Sequence, residues 1–433
     1  METEGHKTNA QAEKTVRKVR ETMAHPWHFF TGDRILWIIV WALAVISVLV
    51  VYSSSGKMAY MQSDTTPTHY LRQQIMILGG CFCILLFVQR INCRVYLFLS
   101  KLVYTLSIGA TLMTYFFGTV TNNAARWLPL GPFQFQPSEA LKVATILFLA
   151  RQLASRQSKI DRQRIVPSWR FWTWRKDPQQ RRIWREGTTP VLMPVLTACA
   201  VILPAHTSSA MLLFGVAWVM MLIGRVRFKE LMKLVAWALV GAMLLWSLKL
   251  GRSETAEGRF STWFNFWTKS QTEKPIEYLS DTERSMIAIH NGGLFGEGAG
   301  QSAMRVEMIH PESDYAYAFF VEEYGFVLSA VLLVLYLWIF FRAITIFERC
   351  GTAFPGLLVL GLALMITCQA LLHVMVTVNI IPETGQTLPL ISRGGSSVLF
   401  TAVALGMILS VSRQNEEHSH DKPRAESILE RGK

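Results

Sequence analysis

The strongest constraint on this chain is where charge is missing. Stretches such as 35–52 and 357–366 hold no Asp, Glu, Lys or Arg, whereas 151–185 is crowded with arginine. A run of about 20 apolar residues crosses a bilayer core as a helix, because the helix satisfies every backbone polar group within itself. Ten apolar blocks stand out, at 35–52, 74–88, 95–117, 137–153, 191–203, 208–223, 231–250, 315–341, 354–376 and 396–411. Only 17% of the 433 residues are charged, against about 25% in soluble proteins. This layout excludes a single soluble globule, a disordered chain and a collagen-like fibre. It predicts an all-α polytopic membrane protein of about ten transmembrane helices, with a large extracytoplasmic loop between the seventh and eighth. The fifth and sixth blocks are short and flank Pro204, which suits a tight helical hairpin or two half-helices lining a cavity.

An even number of spans puts both termini on one side. With the N-terminus inside, the inner segments collect 29 of the 43 Lys and Arg residues. The segment 251–317 then lies outside, with 6 basic and 10 acidic residues. The positive-inside rule therefore predicts cytoplasmic termini. It also accounts for much of the net charge of +13 without nucleic acid. The basic segment 151–189 interleaves its arginines with Trp169, Trp172, Trp174 and Trp184, a mixture suited to the lipid headgroup layer. Residues 1–34 and 414–433 read as polar cytoplasmic tails around a membrane domain spanning 35–413. The six cysteines include no C-x-x-C pair and read as small buried hydrophobes.

Polar residues beside or within the apolar blocks are the functional candidates. In the outer segment 251–317, Phe260, Trp263, Phe264, Phe266 and Trp267 suit the membrane interface. A glycine-rich run follows, with Gly292, Gly293 and Gly296 placed for tight turns or close backbone approach. Beyond Pro311, Ser313 or Asp314 is placed to cap the next helix, and the alternative for Asp314 is a carboxylate facing a cavity at the membrane surface. Glu322 and Glu323 lie two turns deeper, where a charge needs a cavity or a partner.

Arg126 precedes the fourth block. Glu139 and Lys142 share one face of the helix that Pro137 starts, as a surface pair with a snorkelling lysine or as the lining of an anion pocket. The run 382–397, rich in Pro and Gly, reads as a re-entrant loop packed against the bundle. Within it Arg393, with Gly394 and Gly395 leading into Ser396 and Ser397, makes a phosphate cradle at a helix start. Cations beside an apolar bundle suit a lipid pyrophosphate in an enzyme and in a lipid transporter alike, and a lone carboxylate suits a general base.

These residues also carry a family likeness. Arg126-Trp127, then Phe135-Gln136-Pro137-Ser138-Glu139 with Lys142, then Asn291-Gly292-Gly293-Leu294-Phe295-Gly296, then Ser313-Asp314 with Glu322-Glu323-Tyr324-Gly325, and last Thr384-Gly385-Gln386-Thr387-Leu388-Pro389-Leu390-Ile391-Ser392-Arg393-Gly394-Gly395-Ser396-Ser397 occur in order. Together they resemble the SEDS family (shape, elongation, division, sporulation), across roughly 35–413. The last motif and the polar N-terminal tail are closer to the division (FtsW) branch than to the elongation (RodA) branch. The Ser392-Arg393-Gly394 form is similar to the Bacteroidetes type.

The resemblance implies an inverting peptidoglycan glycosyltransferase that polymerises lipid II at the outer face of the bacterial cytoplasmic membrane, for septal wall synthesis. A lipid II flippase and a non-catalytic scaffold that recruits a transpeptidase are the rival readings. The resemblance further implies undecaprenyl-diphosphate-linked glycan as donor, a class B penicillin-binding transpeptidase and other divisome proteins as partners, and dependence on a divalent cation, Mg2+ or Mn2+, whose ligands it does not name. It matches Asp314 to the essential aspartate of the large outer loop, and Arg126, Glu139 and Lys142 to polar cavity residues. Three positions depart. An acidic Pro-Asp-Leu-Gly-Thr-like segment is replaced by Pro204-Ala205-His206-Thr207-Ser208-Ser209, an Asn-Val-Gly by Thr377-Val378-Asn379, and a glutamine by Arg284.

Overall fold

A computed structural model describes residues 30–61, 67–121, 124–130, 133–160, 178–247, 253–268, 279–308 and 313–431. The N-terminal tail and Trp169, Trp172 and Trp174 lie outside them. The chain opens with three long helices, α1 (Arg34–Met61), α2 (Pro67–Arg90) and α3 (Cys93–Phe117). Over its described residues, each of the ten apolar blocks falls on a helix. Among the described residues, six helices are long and apolar enough to cross a membrane: these three, then α12 (Ala316–Glu348), α13 (Ala353–Thr377) and α14 (Gly395–Arg431). The surroundings of the bundle are apolar too. Ile38, Phe98, Phe116, Met243 and Phe341 face outward, which is tolerable against lipid and costly against water. The protein is a multi-pass membrane protein.

Between the long helices lie α4 (Pro137–Ile160), α5 (Pro178–Ile183), α6 (Met193–Ile202), α7 (Thr207–Ile223) and α8 (Phe228–Ser247). The short fifth and sixth blocks form a hairpin, α6 and α7 joined by the turn at 203–206. Residues Trp184–Leu192 form a wide π-helical stretch that joins α5 to α6, so the element runs unbroken from Pro178 to Ile202. Pro190 explains the widening: it has no N–H to donate, and its ring crowds the carbonyl one turn back. The most buried spans are α13 and the first part of α14. A Cβ on Gly361 would stand 2.5 Å from Met220 Sδ and 2.8 Å from Ile146 Cγ2, so α13 lies hard against α7 and α4. At the opposite end from Asp314, Arg342 of α12 pairs with Asp33 just before α1, its Nε 3.0 Å from Oδ2.

The all-α class holds, and three features refine it. First, one small sheet lies among the helices. Strands β1 (Thr119–Thr121), β2 (Ala124–Leu130) and β3 (Phe133–Phe135) form a small antiparallel sheet in that order, with Thr121 opposite Ala124 and Leu128 opposite Phe135. Threonine, valine and aromatic residues favour strands, but runs of three to seven residues are too short to declare a period. Second, the segment 251–317 is not a plain loop. It holds α9 (Ser253–Thr268), α10 (Asp281–Gly292) and α11 (Met304–Glu307), and α10 starts with a reciprocal capping box between Ser280 and Glu283. Third, residues from 414 onward do not begin a separate tail. Helix α14 continues to Arg431, with Gln414 against Cys93 and Asn415 donating to the Ile346 carbonyl at 3.2 Å.

Candidate functional site

Asp314 sits just ahead of α12. The residue in the cap position is Tyr315, whose side chain makes no capping bond, so neither Ser313 nor Asp314 is the N-cap expected from sequence. The turn is instead fastened to the last loop. Ser392 donates its hydroxyl to the Ser313 carbonyl (2.7 Å) and accepts the Leu388 N–H (2.8 Å). Asp314 is thereby tied, one residue away, to the neighbour of Arg393. The Arg393 guanidinium lies 4.6 Å over the Tyr70 ring and reaches Gln73 at 3.3 Å, so α2 steadies it.

Glu139 and Lys142 are not a surface pair, and Lys142 does not snorkel. Lys142 is 1% exposed, with Nζ 2.9 Å from Glu139 Oε1 and 3.1 Å from Gln369 Oε1. Gln369 passes the connection on by donating to the Thr387 carbonyl at 3.0 Å. Thr387 Oγ1 then lies 2.8 Å from Ser397 Oγ. Ser396 accepts the Gln136 N–H (2.9 Å) and donates to the Gln134 carbonyl (3.1 Å), which pins the entry to α4. The hydroxyls of the expected phosphate cradle therefore serve the scaffold, and Gly395 is exposed at the start of α14. Arg126, on β2, is half-buried. Its Nε is enclosed without a hydrogen-bond partner, a group with donor capacity to spare.

Glu322 and Glu323 are fully buried and face a partner rather than a cavity. Glu322 accepts from Ser302, from the Met304 N–H (3.2 Å) and from Asn291 (3.4 Å). Glu323 accepts from Ser53 and from the Gly300 N–H (2.9 Å). The two carboxylates gather the glycine-rich run onto α12. The helix breaks at Gly325 (φ 79°, ψ 171°), a conformation open essentially to glycine alone. The freed backbone groups are taken up by the run itself: Glu297 N–H and Gly298 N–H donate to the Glu322 and Glu323 carbonyls, and Phe326 N–H donates to that of Gly293. The approach leaves no room for side chains. A Cβ on Gly292 would stand 2.1 Å from the Val321 oxygen, and one on Gly296 2.3 Å from that of Glu323. Gly293 ends α10 with φ 48°.

Sequence reading gave no role to five residues near these groups, Glu383, Arg259, His206, His373 and Gln386. Glu383 meets Arg259 of α9 at 3.6 Å, and the same arginine reaches the Glu383 carbonyl at 3.3 Å. Burial raises the Glu383 pKa. Arg259 opposes that shift, while the Asp314 and Asp281 carboxylates add to it, so Asp314 and Glu383 share one electrostatic neighbourhood. His206 lies between α6 and α7, and burial together with the Lys142 charge lowers its pKa to about 4. His373 and Gln386 complete the cluster around the last loop. A lone histidine within the 354–376 block was the available signal, since an ionisable group inside a span is costly. Among the described residues no three His, Cys, Asp or Glu side chains stand together as metal ligands.

The model of the FtsW/RodA/SpoVE family, described as cell cycle protein, matches residues 33–417. Stage V sporulation protein E of Bacillus subtilis is 27% identical over 385 residues, covering 88% of this chain and 97% of that protein. A probable peptidoglycan glycosyltransferase FtsW of Aliivibrio salmonicida is 25% identical over 400 residues, covering 91% and 92%. Among solved structures, a chain from work on the structural coordination of polymerization and crosslinking by a peptidoglycan synthase complex aligns with a TM-score of 0.65 at 22% identity, over 89% of this chain and 98% of that one. The rod shape determining protein RodA of Thermus thermophilus aligns with a TM-score of 0.59 at 22% identity, over 89% and 97%. These structural likenesses establish a shared fold.

Proposed function

The chain belongs to the FtsW/RodA/SpoVE family of cell cycle proteins, and we propose that it is a peptidoglycan glycosyltransferase that polymerises lipid II at the outer face of the bacterial cytoplasmic membrane. The observation that carries this reading is the union of the Asp314 turn with the last loop through Ser392, which ties the segment bearing the carboxylate to the segment bearing an arginine stacked on Tyr70.

Asp314 accepts the proton of the 4-hydroxyl on the acceptor sugar as that oxygen attacks the anomeric carbon of the lipid-linked donor. The bond to undecaprenyl diphosphate breaks in the same displacement, so an α-linked diphosphate becomes a β-1,4 link. Arg393 and Arg126 face the growing negative charge of the leaving group, and fixed cations in a water-poor site act on it strongly. The Glu139–Lys142 pair keeps the last loop in place through Gln369. No step is routed through a metal. The family likeness nonetheless suggests dependence on Mg2+ or Mn2+, which chelation tests directly. Both termini are cytoplasmic in this scheme, and the partner is a class B penicillin-binding transpeptidase within the divisome.

The test combines the purified protein, its cognate transpeptidase, labelled lipid II and a divalent cation, with and without EDTA. Glycan polymer from wild type and none from Asp314→Asn supports the reading. Polymer from both moves the base elsewhere. No polymer from an intact wild-type complex, with lipid II crossing the bilayer, favours a flippase. Rescue of a division-depleted strain but not an elongation-depleted one assigns the septal role.

A further inference from the structure

Two histidines with no task in the mechanism above stand on either side of the last loop. His206 Nδ1 accepts the Ser209 N–H at 3.2 Å, so the ring proton is on Nε2, which donates to the Gly385 carbonyl at 3.2 Å. Next to it the Gln386 carboxamide donates to Ser209 Oγ (2.8 Å) and Ser208 Oγ (3.1 Å), and Ser208 donates to the Thr384 carbonyl (2.7 Å). On the other side, His373 Nε2 accepts the Tyr317 N–H at 3.3 Å. Its Nδ1 therefore carries the proton and donates to the Gln386 carbonyl at 2.7 Å.

Tyr317 is the second residue of α12, three after Asp314. Its N–H belongs to the first turn of the helix, where no intrahelical acceptor exists. Tyr315 offers no capping side chain, so His373 caps this helix from a neighbouring one. A continuous strap results: α7, the His206 and Gln386 side chains, the loop backbone, His373, and the turn bearing Asp314. Both imidazoles are used as neutral rings in one tautomer, each giving one hydrogen bond and taking another.

We propose that His373, Gln386 and His206 are positioning residues for Asp314, fixing the carboxylate against the last loop and Arg393. The inference rests on the glycosyltransferase reading. A general base must lie within hydrogen-bond reach of its proton, and a misplacement of about 1 Å costs on the order of a hundredfold in rate. A positioning defect thus lowers kcat and spares binding.

The test measures kcat and KM for labelled lipid II on the complex with its transpeptidase. His373→Phe keeps a ring and removes both nitrogens, and it is expected to lower kcat roughly tenfold or more with KM within about threefold of wild type. His373→Gln keeps one donor and one acceptor and is expected to recover most of that loss. Gln386→Met cuts the link to Ser208 and Ser209 yet leaves the backbone carbonyl for His373, and a smaller loss confined to kcat is expected. Wild-type kcat in both His373→Phe and Gln386→Met overturns the proposal, as does a glutamine at 373 that rescues nothing. If His373→Phe does not fold, Gln386→Met decides alone: a kcat loss supports the strap and wild-type kcat refutes it. An inactive wild type would instead count against the glycosyltransferase reading itself.

Discussion

Replacing Glu139 by Gln leaves Lys142 in the bundle interior with Gln369 as its one remaining polar contact of the two described above. The pair is separated by 2.9 Å and Lys142 is 1% exposed. At an effective dielectric of about 20, unit charges at that distance attract by about 6 kcal/mol. Desolvation already incurred offsets part of this, and breaking one side of a buried pair costs about 3–5 kcal/mol net. In a chain of this length that amounts to a melting shift of roughly 5 °C. Lys142→Met should cost a similar amount by stranding the carboxylate. The double variant Glu139→Gln/Lys142→Met removes both charges and should recover most of the loss, because an apolar substitute avoids the desolvation cost. The assay is thermal unfolding of the purified protein in detergent, read by tryptophan fluorescence, with the three variants forming a cycle. A double variant that melts as low as the two single losses added together would show no coupling, and the account of Lys142 as a charge held by Glu139 would fail.

Other outcomes follow from the same geometry. His206 has a folded pKa of about 4, below its value near 6.5 in the unfolded chain. Between those values the unfolded chain binds the extra proton. Stability is therefore complete above about pH 6.5 and falls by up to about 3 kcal/mol as the pH drops toward 4; the ring faces Lys142 and Arg259, which deepen the effect. His206→Asn should flatten the melting temperature across that window, and an unchanged slope would disprove the assignment. Trp263 and Trp267 of α9 both donate to the Asn379 carbonyl, at 3.0 and 3.2 Å. Changing both to Phe should cost about 1–3 kcal/mol locally and speed limited proteolysis near α9; equal cleavage rates would mean that other contacts hold the helix. Asp314→Asn should insert normally and yield no glycan polymer, as set out above.

Hydropathy revealed a great deal and hid a definite remainder. The described residues of all ten apolar blocks lie on helices, because burial of backbone groups in lipid leaves the chain few alternatives. Hydropathy marks what suits lipid, not what is helical, so the polar end of α14 and the helices α9–α11 escaped it. Asp314, Glu139, Lys142 and Arg393 were visible as charges in improbable places. Their partners were not: Gln369, Thr387, Ser392 and Gln386 carry no charge, and their roles arise from contacts between segments far apart in sequence. His373 and His206 were in plain view, and their pairing with the loop was not, since spacing along one helix says nothing of what faces it. The phosphate cradle read at 393–397 rested on Arg393 and backbone N–H groups, and the further use of the Ser396 and Ser397 hydroxyls, to hold β3 and Thr387, left no mark in the sequence.

The seam between the glycine-rich run and α12 is made of backbone against backbone, and that shapes how the protein tolerates change. Leu294 and Phe295 are large exposed residues of the run, while Gly292, Gly296 and Gly325 admit no Cβ. A saturation library across 291–300 would therefore read as a comb: free variation at 294 and 295, and near-complete rejection at 292 and 296. Because Asp314 rides on the helix segment held by this seam, the spatial register of the carboxylate is encoded by residues that have no side chains at all. Drift among neighbouring side chains leaves that register intact, whereas a single methyl group at any of the three glycines shifts it.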